Sequence, residues 1–372
     1  MQNRSTAAGI RQRAIVAIIV ALVVALAIPA MSFAATRLTI KVSKASVYTN
    51  QASTISGSVK PTAAKKTVVV QYKKTTSLVW KSVKVKTNSK SAWKYSFKTG
   101  TTGSYDFRAK YAKATSAKKR VTVNPRTVVM LASTTSTQDS GLMTVLEPAF
   151  EKAYPMYDIQ GLYVGSGQAI AYGKSKDADV LLVHSPADEI AFVKGGWGKN
   201  RQPVMHNTFM LVGPNADPGS IATQGSIIDC FKKLRTDSKE IFVSRGDDSG
   251  THKKELALWK DAGYAGYPNP SDWYVKSGLG MGDCLRMASE KNGYTLVDRA
   301  TWVTNRPSDL KIVQQGDASL QNPYTVIEVV GAKQPAGGAA FSTWIRTETV
   351  QNTIYNFGYK KYGLHIFWPD AD

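Results

Sequence analysis

Apolar residues follow two different rhythms along this chain. In the runs 37–42, 67–72, 80–85, 93–97 and 105–111 they alternate with polar ones. A period of two places them on one face of a strand. Gly, Pro, Asn and Ser separate the runs, so about seven short strands in roughly ninety residues predict a small β-sandwich. From residue 126 onward, apolar strand runs such as Val128–Ala132 and Val180–Val183 alternate with stretches of helical spacing, as at Leu142, Val145, Leu146, Ala149 and Phe150. Strands alternating with helices predict mixed α/β layers.

The first residues belong to neither rhythm. Arg4, Arg11 and Arg13 precede an uncharged apolar run from Ala14 to Ile28, followed by Pro29 and the small residues Ser32, Ala34 and Ala35. This reads as an export signal over 1–35. Fifteen apolar residues are short for a membrane span. No cysteine lies near the cleavage site, so no lipoprotein anchor is expected; an uncleaved signal acting as a tether stays open. The protein is expected outside the cell or at its surface.

Charge divides the remainder. The chain of 372 residues carries a formal +21, yet residues 36–125 hold 17 lysines and 3 arginines against the single Asp106, a net +19. Residues 126–372 come to about −1. A boundary near Asn124 and Pro125 is thus visible in composition alone. Lysines alternating with apolar residues either keep solvated strand edges apart or attach the module to an anionic cell wall or membrane surface. Export makes nucleic acid an unexpected partner. Cys230 and Cys284 are a disulfide candidate by compartment and even count; two separate buried thiols are the alternative, since both sit in helix-like segments. The four histidines (His184, His206, His252, His365) are scattered, so no metal site is expected.

Three junctions carry the candidate chemistry. Arg245 is followed by Ser249, Gly250 and Thr251 at the start of a polar helical stretch. A helix N-terminus has unpartnered N–H groups and partial positive charge, so hydroxyls and amides there can ring a tetrahedral oxyanion while arginine supplies the full charge. The plain alternative makes Ser249 or Thr251 a helix cap and pairs Arg245 with Asp247 or Asp248. A second strand, hydroxyl cluster and helix start lies at Ser133–Ser140, with Thr135, Ser136 and Thr137 as candidates. A third lies at Gly165, Ser166 and Gly167, where glycine permits close backbone approach. No Gly-x-Ser-x-Gly elbow surrounds Ser136 or Ser249, and no partnered His–Asp pattern accompanies them, so the chain does not read as an enzyme.

The runs Leu131–Leu142, Asp179–Pro186 and Ser244–Glu255 with Leu258 and Trp259 resemble the extracellular tungstate-binding proteins of ABC transporters. Gly280–Gly282, Met287–Glu290, Tyr294–Trp302 and Asn322–Tyr324 are similar to that family too, so the resemblance spans about 126–372. It implies a multidomain chain whose larger part is an α/β two-lobed, periplasmic-binding-protein-like domain of the type II venus-flytrap kind. Lobe one would comprise 126–207 and 328–372, lobe two 208–327. The ligand would be tungstate, with molybdate as second candidate, held by Thr135, Ser136, Thr137, Ser166, Arg245, Ser249, Gly250 and Thr251. No cofactor is implied, and the partner is an ABC permease. His184 stands where phosphate-binding relatives tend to have an aspartate; it would either donate to the dianion or support the site from behind. The Arg-x-x-x-Ser-Gly-Thr spacing is similar to that of phosphate-binding proteins, so a phosphate- or sulfate-type receptor is the alternative. Residues 36–125 resemble the immunoglobulin-like repeats of bacterial surface proteins at Ser56–Pro61 and Gly103–Arg108, which keeps an adhesion protein in view.

Overall fold

A computed structural model describes residues 35–236, 240–264 and 273–371. The export signal read in the sequence falls, up to Ala34, outside the described residues. No helix among the described residues is long and apolar enough to cross a membrane. The chain divides into two compact units, Met1–Asn124 and Pro125–Asp372.

The described part of the first unit is all-β. Its strands are β1 (Arg37–Leu38), β2 (Lys41–Val42), β3 (Ser46–Tyr48), β4 (Ser53–Lys60), β5 (Thr67–Lys74), β6 (Lys81–Lys86), β7 (Ala92–Phe97), β8 (Gly103–Tyr111), β9 (Ala114–Thr115) and β10 (Lys119–Asn124). One sheet gathers β1, β2 and β7 around β4; the other runs β3-β10-β8-β5-β6, with β9 on β8. Ile55, Val59, Trp93 and Phe97 from the first sheet and Val68, Val70, Phe107 and Val121 from the second share one core. The period of two therefore does its work on both sheets, leaving the lysines on the opposite faces.

The second unit contains β11 (Thr127–Thr134), α1 (Thr135–Asp139), α2 (Leu142–Ala153), β12 (Tyr157–Val164), α3 (Ser166–Lys174), β13 (Val180–Val183), α4 (Pro186–Lys194), β14 (Gly198–Pro214), α5 (Ile227–Thr236) and β15 (Phe242–Ser244). It continues with α6 (Gly250–Asp261), β16 (Tyr274–Lys276), α7 (Met281–Glu290), β17 (Thr295–Asp298), α8 (Arg299–Asn305), β18 (Leu310–Gln314), β19 (Gln321–Val329), α9 (Pro335–Ile345), α10 (Glu348–Asn356), α11 (Tyr359–Tyr362) and β20 (Trp368–Pro369). The sheet order is β12-β11-β13-β19-β14-β17, with β18 and β20 also on β14.

In lobe one, Val129, Leu131, Val180, Leu182 and Val326 face α2, α9 and α10, while Ala132, Leu181, Val183 and Ile327 face α3 and α4. Strands covered on both faces read as continuous apolar runs for this reason. Lobe two repeats the plan. Phe209, Leu211 and Leu296 pack toward α5 and α6, and Met210, Val212 and Val297 toward α7.

The lobes are joined by β14 and β19. Across its 17 residues β14 pairs first with β19, up to Thr208 opposite Gln321, and then with β17, from Phe209 opposite Asp298. The return crossing comes earlier than the 327/328 boundary read from the sequence. Thr325–Glu328 pair with Val183–Val180, so β19 lies inside the sheet of lobe one.

The disulfide candidate is corrected by the same alternation. Cys230 on α5 packs with Phe231 and Trp259, whereas Cys284 on α7 packs with Leu285 and Val243, on the opposite face of the lobe-two sheet. Both are free and buried. Burial pushes the thiols up to about 12 and about 11, the behaviour of inert core groups.

Candidate functional site

The three hydroxyl-bearing junctions fold as strand ends that lead into helix starts. At the first, β11 passes into α1 without a loop. Ser133 Oγ donates to the carbonyl of Leu182 (2.8 Å), and Thr137 Oγ1 donates to the carbonyl of Thr134 (2.7 Å). Those two hydroxyls also lie 3.0 Å apart. Thr137, a ligand candidate from the sequence, is thus turned into lobe one and fastens the junction. Ser136 is buried, with its Oγ 3.0 Å from Thr134 Oγ1 and 3.1 Å from Tyr324 Oη. Thr135 Oγ1 faces lobe two, 3.5 Å from Arg245 Nη2.

At the second junction Gly165 caps α3 and Ser166 begins it. A Cβ on Gly165 would stand 3.3 Å from the Ser249 Cα, a tight contact that shows how closely this backbone approaches lobe two. Ser166 is fully buried, yet its Oγ has no hydrogen-bond partner among the described residues.

The third junction supplies the charge. Arg245 leaves β15, and the chain turns through Gly246 (φ 62°) and Asp248 (φ 60°) before Ser249 caps α6 by accepting from the N–H of His252 (3.2 Å). Asp247 braces the arginine, Nη2 to Oδ2 at 2.5 Å, and its Oδ1 accepts from the Ser249 N–H at 3.1 Å. The plain alternative read from the sequence, cap plus ion pair, is therefore present. It does not exhaust the donors: Arg245 Nε and Thr251 Oγ1 are buried without a partner among the described residues. A Cβ on Gly250 would come within 2.6 Å of His184 Cε1, placing the N-terminus of α6 against lobe one. Lys253 of α6 closes the same gap through Asp188 on α4.

Glu255 anchors this junction from below. Its carboxyl accepts from Ser244 Oγ (2.6 Å), Tyr274 Oη (2.6 Å) and Trp259 Nε1 (3.0 Å), tying α6 to the end of β15 just before Arg245. Complete burial pushes it up to about 7 against the opposing pull of those donors.

His184 is buried at the end of β13, stacked on Tyr324 at 4.7 Å, with Nδ1 2.7 Å from Asn322 Oδ1. Asn322 Nδ2 donates to Asn207 Oδ1 (2.7 Å), so its Oδ1 is the acceptor and His184 Nδ1 carries the proton. Burial moves the imidazole down to about 4, opposed by the Asn322 bond and aided by the Arg245 charge. A neutral ring whose one proton is given to Asn322 has none to spare, so the geometry fits the supporting role read for His184. The chain of bonds continues from Asn207 Nδ2 to Asp298 Oδ1 (3.4 Å), and Asp298 caps α8 through Thr301.

Asn207, Asn322, Tyr324 and Asp298 were missed as site-supporting residues in the sequence. The available signal was a polar residue inside, or ending, an otherwise apolar strand. A cavity of about 540 Å³ adjoins Thr135, lined by Asp139, Gly280, Asp283, Arg286 and Asn305 among others. Its two carboxylates would repel a dianion, so anion capture is better served at the orphan donors. Among the described residues no group of three or more His, Cys, Asp or Glu could hold a metal ion.

Two lobes joined by paired crossing strands, with buried donors converging from both, define a two-lobed solute-binding fold. Residues 110–349 match the family model described as a PBP superfamily domain. The chain is 44% identical over 250 residues to the tungstate-binding protein TupA of Peptoclostridium acidaminophilum, covering 65% of this chain and 86% of that one. It is 38% identical to the solved tungstate-binding protein TupA from Desulfovibrio alaskensis G20, with TM-score 0.55 and coverage of 66% of this chain and 99% of that one. A structure titled as the tungstate ABC transporter from Geobacter sulfurreducens is 39% identical, with TM-score 0.55 and coverage of 62% and 98%. The chain belongs to the PBP superfamily and, within it, to the family of the tungstate-binding proteins TupA.

Proposed function

We propose that the Pro125–Asp372 unit captures tungstate outside the cytoplasm and delivers it to an ABC permease. The family is one of substrate-binding proteins, not enzymes, so the ligand is held and released without bond making. The observation that carries the site is that Ser166 Oγ, Arg245 Nε and Thr251 Oγ1 are three buried donors without a partner among the described residues. Leaving a buried donor unmet costs about 1–3 kcal/mol, so three of them at two abutting junctions call for an acceptor-rich ligand. A tetrahedral dianion offers acceptor oxygens on every side.

In this reading Thr135, Ser136, Ser166, Arg245, Ser249, Thr251 and the amides from Gly250 onward replace the hydration shell of the anion. Lobe one gives the first three and lobe two the rest, so the anion favours the closed form, which the permease reads. Selectivity over sulfate and phosphate would come from cavity size, each tenfold requiring about 1.4 kcal/mol.

The first unit, read as an immunoglobulin-like sandwich, would serve attachment to anionic cell-surface material after export. What supports this is uncompensated charge: Asp106, its one carboxylate, is paired with Arg120 at 2.8 Å.

Isothermal titration calorimetry with tungstate, molybdate, sulfate and phosphate at fixed salt tests the reading. Tight tungstate binding with weak sulfate and phosphate binding is expected. Preference for phosphate or sulfate would overturn the cargo, and heat from none of the four would overturn the receptor.

A further inference from the structure

In β5 and β8 the residues Val68, Val70, Phe107 and Ala109 are buried in the core of the first unit, and Val85 of β6 packs against it. Their alternates Lys73, Lys84, Lys86, Arg108 and Lys110 therefore share the outer face of that sheet, brought together by the register of Val69 with Lys84 and Lys110 and of Gln71 with Arg108. The turn joining β5 to β6 ends in Leu78, Val79 and Trp80. Leu78 is 92% exposed and Val79 72%, the two most exposed large apolar side chains among the described residues.

This turn is held in shape. Ser77 N–H donates to the Lys74 carbonyl (2.9 Å), Val79 N–H to Ser77 Oγ (3.1 Å), and Lys73 Nζ to the Ser77 carbonyl (2.7 Å). The Trp80 ring lies 4.1 Å from the Arg108 guanidinium and 5.6 Å from the Lys73 ammonium. The chain thus presents an ordered apolar prong whose aromatic base sits on a cationic sheet face.

We propose that the Leu78–Trp80 prong and the cationic face beside it dock the protein onto an anionic lipid bilayer. This rests on the attachment role given above to the first unit. A soluble polyol-phosphate polymer would satisfy the lysines and offer nothing to Leu78 and Val79. A bilayer offers both: negative headgroups for Lys84, Lys86, Arg108 and Lys110, and the boundary with the acyl chains for the two aliphatic side chains. Trp80, aromatic with a polar N–H, suits the headgroup level between them.

The test uses residues 35–372, which keep the hydrophobic cores of both units. Co-sedimentation is measured with phosphatidylcholine vesicles with and without phosphatidylglycerol, and binding to soluble poly(glycerol phosphate) in parallel, for wild type and for the double variant Leu78→Ser, Val79→Ser. Both side chains are solvent-exposed, so the variant is expected to fold, with an unchanged thermal transition as control.

Wild type is expected to prefer phosphatidylglycerol vesicles by about tenfold or more, and the double variant to lose about tenfold on them while holding the soluble polymer as well as wild type does. A variant that sediments like wild type overturns the bilayer docking. So does a wild type that binds the polymer but no vesicle, and in both cases the attachment reading stands. Wild type binding neither surface overturns both.

Discussion

Asn207 and Asn322 lie directly opposite each other on the two strands that join the lobes, with Asn322 Nδ2 donating to Asn207 Oδ1 at 2.7 Å. One end of this amide pair is held by His184 in lobe one and the other by Asp298 in lobe two. Any rotation of the lobes about the crossing strands acts on that chain. Asn322→Ala would leave the His184 N–H and the Asn207 carbonyl buried without partners, a cost of about 2–3 kcal/mol in urea denaturation. Tungstate affinity should fall about tenfold, because Tyr324, which holds Ser136, loses its neighbour. Unchanged stability would remove the amide pair from the hinge.

The hydroxyls should divide into two groups. Ser166→Ala and Thr251→Val remove orphan donors, so each should weaken tungstate binding by about tenfold while leaving stability equal or slightly higher. Thr137→Val should do the reverse, lowering stability by about 1 kcal/mol with little change in affinity. Calorimetry and denaturant titration on the same three variants read both effects.

Arg245→Ala should raise the tungstate Kd by about 100-fold or more, since the dianion loses its one full counter-charge in the site. Arg245→Lys keeps the charge and loses the planar fork, and should remain about tenfold weaker than wild type. Binding of either variant with wild-type affinity would take Arg245 out of the site.

Stability should decline with pH through the titration of Glu255. Its carboxyl is raised from 4.5 to about 7, so the folded protein keeps a proton that the unfolded chain has released. The contribution is complete below about pH 4.5 and is lost as pH rises through about 7, amounting to roughly 3 kcal/mol. Denaturant midpoints at about pH 5 and about pH 8 should differ accordingly in wild type, and Glu255→Gln should flatten that part of the profile.

The junctions were legible because each is local: a strand, a hydroxyl or glycine, and a helix start occupy a dozen residues. What each hydroxyl then does was not. Ser136 and Thr137 are adjacent, yet the rotation of about 100° between successive helix positions sends the first to Tyr324 and the second back to Thr134. The hinge chain was hidden for a related reason, since Asn207 and Asn322 meet only through strand register across 115 positions. The cysteine pairing failed on period-two geometry: even count and compartment suggested a bridge, while the lobe-two sheet separates the helices that carry Cys230 and Cys284. The division of the chain by charge needed composition alone, because folding does not change where lysines are encoded.

The most direct measurement is anomalous diffraction at a tungsten absorption edge from crystals grown with tungstate. The account predicts one strong tungsten peak with anion oxygens within about 3.2 Å of Ser166 Oγ, Arg245 Nε and Thr251 Oγ1. A peak in the cavity lined by Asp139, Asp283 and Arg286, or on the lysines of the first unit, with those three donors unoccupied, would contradict it.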